Sequence, residues 1–316
     1  MRKAILGATG IEVTELCIGA LPMGPLQANI PAETAIDLLK TAFASGINFV
    51  DTAELYSTQK YVGEALKGAP GKIVVATKSA SETYAAMEES VQRSLAELAV
   101  SQIDIYHLHA ARVTPSVFKD REGALACLHD YKKKGIIRAV GISTHAVDVV
   151  RAAAGRDDID IVFPLINKTG MGIIGGTAAE MTAAIGAVAD SGKGMYAMKA
   201  LAGGHLIDDI QAAYDYVREI RGIQAVAVGM VNKNELDTNV RFFSGVAVPP
   251  ERLRVTDKKQ KKLLVSHFCQ GCGQCVAACP NQALSLVDGK AVVDTKKCLL
   301  CGYCSPGCPQ FAIRLI

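Results

Sequence analysis

Charge of one sign is scarce in this chain: 34 Lys and Arg stand against 31 Asp and Glu, a net +3 over 316 residues. That balance is too small to argue for a nucleic-acid partner, which selects a strongly basic face. Long apolar runs are also missing, although half of the residues are hydrophobic, so nothing reads as a membrane span. The chain passes from Met1-Arg2-Lys3 straight into Leu6-Gly7 without an apolar signal region. The expectation is a soluble, cytoplasmic protein with neither a nucleic-acid nor a membrane partner. Its length and hydrophobic content predict about two domains and material for a large core.

Cysteine is plentiful, and it is concentrated at one end. Cys269, Cys272, Cys275 and Cys279 precede Pro280, and Cys298, Cys301, Cys304 and Cys308 precede Pro309, one spacing written twice. Cysteines three apart turn their thiolates onto a common iron-sulfur cube, while the fourth, farther on, reaches the other cube. Two 4Fe-4S clusters are therefore expected, one on Cys269, Cys272, Cys275 and Cys308, the other on Cys298, Cys301, Cys304 and Cys279. Gly271 and Gly273 let the backbone wrap tightly and aim N–H groups at sulfur. Zinc sites and secreted disulfide scaffolds fit this pattern poorly. The last fifty residues resemble the bacterial two-cluster ferredoxins. Exposed clusters of this kind call for a reducing compartment. Cys17 and Cys127 lie in apolar surroundings and are expected to be ordinary buried thiols.

Upstream, strand and helix alternate. Lys3 to Gly7 and Ile11 to Glu15 read as a hairpin. Eight mostly continuous apolar strands follow, at Leu16 to Ala20, Ile47 to Ala53, Ile73 to Lys78, Ile103 to His109, Ile137 to Ser143, Ile159 to Ile166, Gly194 to Lys199 and Ala225 to Met230. Such runs suit parallel strands buried on both faces. Helical spacing fills the gaps: Ile36, Leu39 and Phe43; Met87, Val91 and Leu95; Leu125 and Leu128; then Thr177 to Asp190, Asp208 to Arg221 and Lys233 to Phe243. Eight such units predict a (β/α)8 TIM barrel of about 245 residues, with its site on loops at the C-terminal ends of the strands. An open doubly wound sheet is the alternative that alternation alone leaves standing.

Five stretches carry chemistry: Asn48-Phe-Val-Asp51-Thr-Ala-Glu-Leu-Tyr56, Gly63-Glu-Ala-Leu66, Ala76-Thr-Lys78, Asp104-Ile-Tyr-His-Leu-His109 and Gly141-Ile-Ser143. Together they resemble the aldo-keto reductases, from Leu6-Gly7 through Asn239. The resemblance implies a catalytic tetrad of Asp51, Tyr56, Lys78 and His109. Its physical logic is complete. Hydride arriving at a carbonyl leaves negative charge on oxygen, which must be protonated as it forms. Tyr56 would supply the proton, Lys78 would lower the phenol's pKa from about 10, Asp51 would hold Lys78, and His109 would orient the substrate oxygen. His107, two residues earlier on the same strand, is expected to belong to the core or to a layer beneath.

The cofactor side departs from the family pattern. Ser143 and Asn167 match residues that hold the nicotinamide carboxamide in the family, but Thr144 and Phe163 stand where Asn and Gln are usual. Met198 replaces an aromatic that stacks on nicotinamide, Lys199 would reach a pyrophosphate, and Gly203 allows close backbone approach. Beyond strand eight, Gly229, Asn232 and Glu235 open the helix whose N-terminus would face phosphates. Glu235 takes the place of an arginine that grips a 2'-phosphate, which leans toward NADH, while Lys233 nearby leaves NADPH open. Asn239 matches an adenine contact, with an exposed helix position as the plain alternative. Gly172 to Gly176 reads as a loop, and Pro22, Met23, Phe163 and Met171 as a pocket wall or core.

The expected domains are a barrel over 1–245, a linker over 246–266 with the basic segment Lys258-Lys-Gln-Lys-Lys262, and a ferredoxin-like α+β domain over 267–316. The expected function is NAD(P)H-dependent reduction of a small-molecule carbonyl, with an iron-sulfur module that can serve an electron-transfer partner protein. The alternative is an electron-transfer protein whose barrel binds a redox partner or a substrate such as a quinone. Nicotinamide gives electrons in pairs and clusters pass them singly, so the two halves do not combine trivially.

Overall fold

The computed structural model describes residues 1–249, 262–305, 307–309 and 312–315. It begins with an antiparallel hairpin of β1 (Lys3–Ile5) and β2 (Glu12–Thr14). Eight parallel strands follow: β3 (Leu16–Gly19), β4 (Phe49–Asp51), β5 (Val74–Ser79), β6 (Ile103–Ala110), β7 (Ile137–Thr144), β8 (Ile161–Pro164), β9 (Gly194–Ala197) and β10 (Ala225–Gly229). Strand β10 pairs with both β9 and β3, which closes the ring. The open doubly wound alternative is thereby excluded.

The barrel interior is a packed core. Phe49, Ile105, Ile161, Phe163 and Tyr196 fill it, and Leu6, Ile11 and Val13 close its lower end from the hairpin. Phe163 and Tyr196 stack at 3.9 Å between centroids. A second apolar layer lies between the strands and the helices. The helices are α1 (Ala32–Ala44), α2 (Gln59–Leu66), α3 (Tyr84–Leu98), α4 (Val117–Asp120), α5 (Glu122–Lys133), α6 (Val147–Ala154), α7 (Ala178–Asp190), α8 (Ile210–Arg218) and α9 (Lys233–Phe243). Their starts carry the expected chemistry. Thr177 caps α7 in a reciprocal box with Glu180, and Asn232 caps α9 by accepting from the Glu235 N–H at 2.9 Å.

The small C-terminal unit has two hairpin-like pairs, β11 (Leu263–Val265) with β14 (Ile313–Leu315) and β12 (Leu284–Val287) with β13 (Lys290–Val293), plus the short helix α10 (Gln274–Ala278). Because β11 pairs with β14, this unit starts inside the stretch 246–266 expected as linker. The basic segment Lys258 to Lys262 lies, except for Lys262, outside the described residues.

This unit sits on the C-terminal mouth of the barrel. The barrel residues that its described residues touch lie at or beyond the C-terminal ends of strands. Arg112 Nη1, beyond β6, donates to the Ala277 carbonyl at 3.0 Å, and His205 Nε2, beyond β9, bonds the Cys298 carbonyl at 2.8 Å. Gly302 lies against the Leu26 carbonyl, and Leu299 against Gly172 and Gly203. Gly172 and Gly203 have positive φ and no room for a Cβ, so the glycine-rich stretch 172–176 is more than a surface loop: part of it seats the second domain.

Candidate functional site

Strand register brings the four tetrad residues to one end of the barrel. Asp51 ends β4, Lys78 lies opposite His107 across β5 and β6, and His109 lies opposite Ser143 across β6 and β7. Tyr56 belongs to a single turn of 3-10 helix, Glu54–Tyr56, directly after β4. Asp51, Tyr56 and Lys78 are all buried. Lys78 Nζ donates to Asp51 Oδ1 at 2.6 Å and to the Thr52 carbonyl at 2.6 Å. It stands 4.9 Å from the centroid of the Tyr56 ring, and the Tyr56 and His109 rings meet edge to face at 5.8 Å.

Burial decides the electrostatics. It pushes Asp51 up and Lys78 down, each shift opposed by the other's charge. Burial first, then nearby Lys78, holds His109 well below the usual histidine range, so its imidazole is neutral. The expectation that Lys78 lowers the Tyr56 phenol is corrected here. Tyr56 is raised well above its ordinary value by burial, with Tyr303 and Asp51 adding to the rise. The reason is geometric, since Lys78 turns its hydrogen bonds to Asp51 and Thr52 and lies over the Tyr56 ring.

One layer down, His107 is an interior histidine, as expected. Its ring fills the space left by Gly141, where a Cβ would strike Nδ1. Tyr196 Oη donates to Asp51 Oδ2 at 2.9 Å and meets His107 Nε2 at 2.7 Å. A phenol has one proton, so with Asp51 ionised His107 Nε2 is the donor. The His107 Nδ1 lone pair is then unpartnered. Tyr196 was absent from the sequence-derived site, yet strand alternation carries the signal: it lies two residues before Met198 and faces the same way. His145 was absent too. It is buried just beyond β7, and burial together with the Lys199 charge pushes it down to about 3.

The third addition comes from the other domain. Tyr303, between Cys301 and Cys304, places its hydroxyl 3.4 Å from His109 Nε2 and adds to the rise of the Tyr56 phenol. Its ring packs with Leu21, Leu26, Ala53 and Tyr56. No feature of a C-x-x-C-x-x-C run marks its middle residue for a distant barrel.

The cysteines frame two small cavities. One is lined by Cys269, Cys272, Cys275 and Cys308, the other by Cys279, Cys298, Cys301 and Cys304. Backbone N–H groups point at sulfur from Ala291 to Cys269 (3.5 Å), from Ala283 to Cys279 (3.3 Å) and from Ala312 to Cys308 (3.2 Å). Gly271 and Gly273 have the positive φ that a tight wrap needs. Among the described residues, no three His, Cys, Asp or Glu side chains converge on one point as a single ion requires. Thiols around a cage with N–H donors behind them fit an iron-sulfur cube. The Cys272 side is exposed, whereas the second cage lies beside the barrel mouth. Cys17 and Cys127 are buried thiols, as expected.

The residues matched to nicotinamide contacts present a different picture. Ser143 is buried, with Oγ 3.5 Å from the Leu108 carbonyl. Asn167 bonds the backbone of Thr169 and Met171 on both faces of its amide and so shapes its own loop. Met198 packs on the barrel interior. Lys199 has positive φ and acts electrostatically on His145. Gly229 lies against Pro22 and Gly203 against Leu299. Asn232 and Glu235 cap α9 on each other, and Glu235 Oε2 also accepts from the Val231 N–H at 2.8 Å. Asn239 is buried, not exposed, with Oδ1 accepting from Tyr214 at 2.6 Å. Lys233 pairs with Asp37 at 2.8 Å. Met23 and Phe163 are core, while Met171 lines an open cleft of about 560 Å³ with Arg112, Lys296 and Lys297. Of the matched side chains, Asn167, Asn232, Glu235 and Asn239 are hydrogen-bonded within the chain, and Leu299 lies against Gly203.

Comparison with known proteins follows the same division. The model of the aldo/keto reductase family matches residues 15–218, and that of a 4Fe-4S dicluster domain matches 268–312. The NADH-specific methylglyoxal reductase of Escherichia coli is 30% identical over 189 residues, 51% of this chain and 58% of that protein. An uncharacterized oxidoreductase of Bacillus subtilis is 26% identical over 174 residues, 50% and 54% of the two chains. The chain thus spans about half the length of the curated relatives it matches. A solved Pseudomonas aeruginosa structure, described as that of an aldo-keto reductase, is 27% identical with a TM-score of 0.65 over 77% of this chain and 94% of that one. Among the described residues no helix is long and apolar enough to cross a membrane. With well over half of its length matched, and the match lying on the barrel that gathers Asp51, Tyr56, Lys78 and His109, this chain belongs to the aldo/keto reductase family and also carries a 4Fe-4S dicluster domain.

Proposed function

We propose that this protein is an oxidoreductase that reduces the carbonyl of a small aldehyde or ketone, with Tyr56 as proton donor. The observation that carries the reading is the convergence of Tyr56 and His109 on one point above the buried Lys78–Asp51 pair. The Tyr303 hydroxyl lies there, 3.4 Å from His109 Nε2 and packed on Tyr56, which supports the reading that an oxygen is accepted at that point. When bound, NADPH or NADH supplies hydride and the clusters pass single electrons.

The chain's own residues do the rest. Tyr56 keeps its proton at neutral pH because burial opposes the phenolate, so it arrives at the reaction as an acid. Lys78, fixed by Asp51, places positive charge near the oxygen that becomes anionic. His109, neutral, orients the carbonyl and does not compete with Tyr56 as an acid. Tyr196 and His107 fix Asp51 from below. The eight cluster cysteines, in two sets of four, would hold the cubes. The more exposed set, at Cys272, offers a place for an electron-transfer partner protein. The small dicarbonyl named for the Escherichia coli relative makes short aldehydes and ketones the first substrates to screen.

A second reading has its own observation. Tyr303 links the loop of Cys301 and Cys304 to Tyr56 and His109, so cluster electrons could serve a substrate such as a quinone at the barrel mouth. Anaerobic titration of the cluster-loaded protein with NADH and then NADPH separates the two. Nucleotide binding with Tyr56-dependent aldehyde turnover is the expected result. Full activity in Tyr56→Phe, driven by a reduced electron carrier alone, would sink the first reading in favour of the second.

A further inference from the structure

The oxygen of a carbonyl undergoing reduction has to lie within hydrogen-bond reach of both the proton donor and the orienting histidine. In this chain the Tyr303 hydroxyl is already there, 3.4 Å from His109 Nε2, with its ring packed against Tyr56. Four residues earlier, Leu299 abuts Gly203, a position matched to nucleotide approach. A Cβ on Gly203 would run into the Leu299 carbonyl, and one on Gly172 into its side chain. The segment between them turns through Gly302, whose φ of 80° and contact with the Leu26 carbonyl admit no side chain. The inserted pair Leu299 and Tyr303 therefore covers the nucleotide approach with one residue and the substrate oxygen position with the other.

The way this segment is held suits an occupant that leaves. Its apolar contacts with Leu26, Ala53 and Tyr56 form a small cluster separate from the barrel core and from the core of the dicluster domain. Its flanking anchors are hydrogen bonds from Arg112 and His205 to backbone carbonyls. Interfaces of this mixed, modest kind between domains open more readily than either core unfolds.

We propose that the Leu299–Tyr303 segment is a built-in ligand of the tetrad site, competitive with both nicotinamide nucleotide and carbonyl substrate, so that the barrel reduces carbonyls only with the dicluster domain lifted from its mouth. This rests on the carbonyl-reductase reading. It makes cluster docking and nucleotide binding mutually exclusive, and it turns the fraction of molecules with an open mouth into a direct multiplier on apparent nucleotide affinity.

The experiment uses the full, cluster-loaded chain under anaerobic conditions. NADH and NADPH binding is measured by cofactor fluorescence, and hydrogen exchange of residues 298–305 is followed with and without nucleotide. Two variants are compared with the unaltered protein: Tyr303→Ala, and the double variant Arg112→Ala with His205→Ala, which changes no residue of the cluster-binding loops. Cluster content is checked by absorbance, and if Tyr303→Ala loses its clusters the double variant decides. The expected result is nucleotide binding about tenfold or more tighter in the variants, as for an open fraction raised by that factor, with nucleotide increasing exchange of 298–305 in the unaltered chain. Equal affinity in all three proteins, with the segment still protected while nucleotide is bound, would overturn the proposal and leave the reductase reading intact. Absence of nucleotide binding in all three would remove the reductase reading, and the competition with it.

Discussion

Lys78 has almost no contact with water, and its charge is balanced by a single carboxylate. Asp51→Asn removes that partner, so burial pushes the amine down further than it already does. An uncompensated buried charge costs about 3–5 kcal/mol, and urea unfolding at pH 7 is expected to show a loss of that order. The pH dependence has a definite sign. A lysine depressed in the fold binds its proton more readily in the unfolded chain, so its contribution to stability is complete above the unfolded value of 10.5 and is lost as pH falls. The variant should therefore regain stability between pH 7 and 10, by at most about 1.4 kcal/mol per pH unit. A flat profile would mean that the introduced amide and water satisfy the ammonium. Tyr196→Phe probes the layer beneath. It leaves His107 without a partner at either ring nitrogen and Asp51 with one donor fewer, at an expected cost of about 2 kcal/mol from unsatisfied buried groups. Turnover should fall with unchanged cluster absorbance, since the contacts of Tyr196 are with Asp51, His107, Phe49 and Phe163 inside the barrel. Asp51, Lys78 and His109 could be picked out as motifs in order because each sits at or next to the end of a strand. Tyr303 could not, because its role depends on where another domain lands.

At the scale of elements, the eight barrel strands could be read from apolar runs, and the structure returns all eight. Helices α2 and α6 escaped for identifiable reasons. Helix α2 carries Gly63, which is needed because a Cβ there would meet the Leu98 carbonyl of α3, and a mid-helix glycine weakens the helical pattern. Helix α6 runs Val-Asp-Val-Val before its alanines, a β-branched start that imitates a strand. The N-terminus of α9 shows the limit of motif matching most clearly. Glu235 was assigned by resemblance to the nucleotide, yet its carboxylate accepts from Val231 and Asn232, and Asn232 accepts from Glu235 in return. A capping pair and a ribose contact draw on the same residue types at the same helix end. Asn232→Ala is accordingly expected to lower stability by about 1 kcal/mol, read as a shift in urea midpoint with an unchanged slope. A loss of nucleotide affinity without that shift would assign the side chain to the ligand after all.

For the whole molecule, the unequal cores of the two domains determine how they respond to loss of the clusters. The barrel has continuous apolar layers inside and outside its strands. The dicluster domain has a core made largely of its own cysteines, with Ala283, Leu284, Ala291, Ala312 and Ile313 between them. So few aliphatic groups cannot offset the ordering of a chain this short, so the bonds from thiolate to cluster supply what packing does not, as metal binding does in other small domains. Stripping iron with a chelator under mild oxidation should therefore release residues 262–305 to fast hydrogen exchange while strands β3 to β10 stay protected. The loops that now receive Leu299 and Tyr303, around Gly172, Gly203 and Tyr56, should lose protection together with the released domain, because their cover has gone. Far-UV circular dichroism should change little, since most helices belong to the barrel. If the strands β3 to β10 lost protection at the same time, the two domains would form one cooperative unit, and a mouth that opens while the barrel stays folded would not be available to this protein.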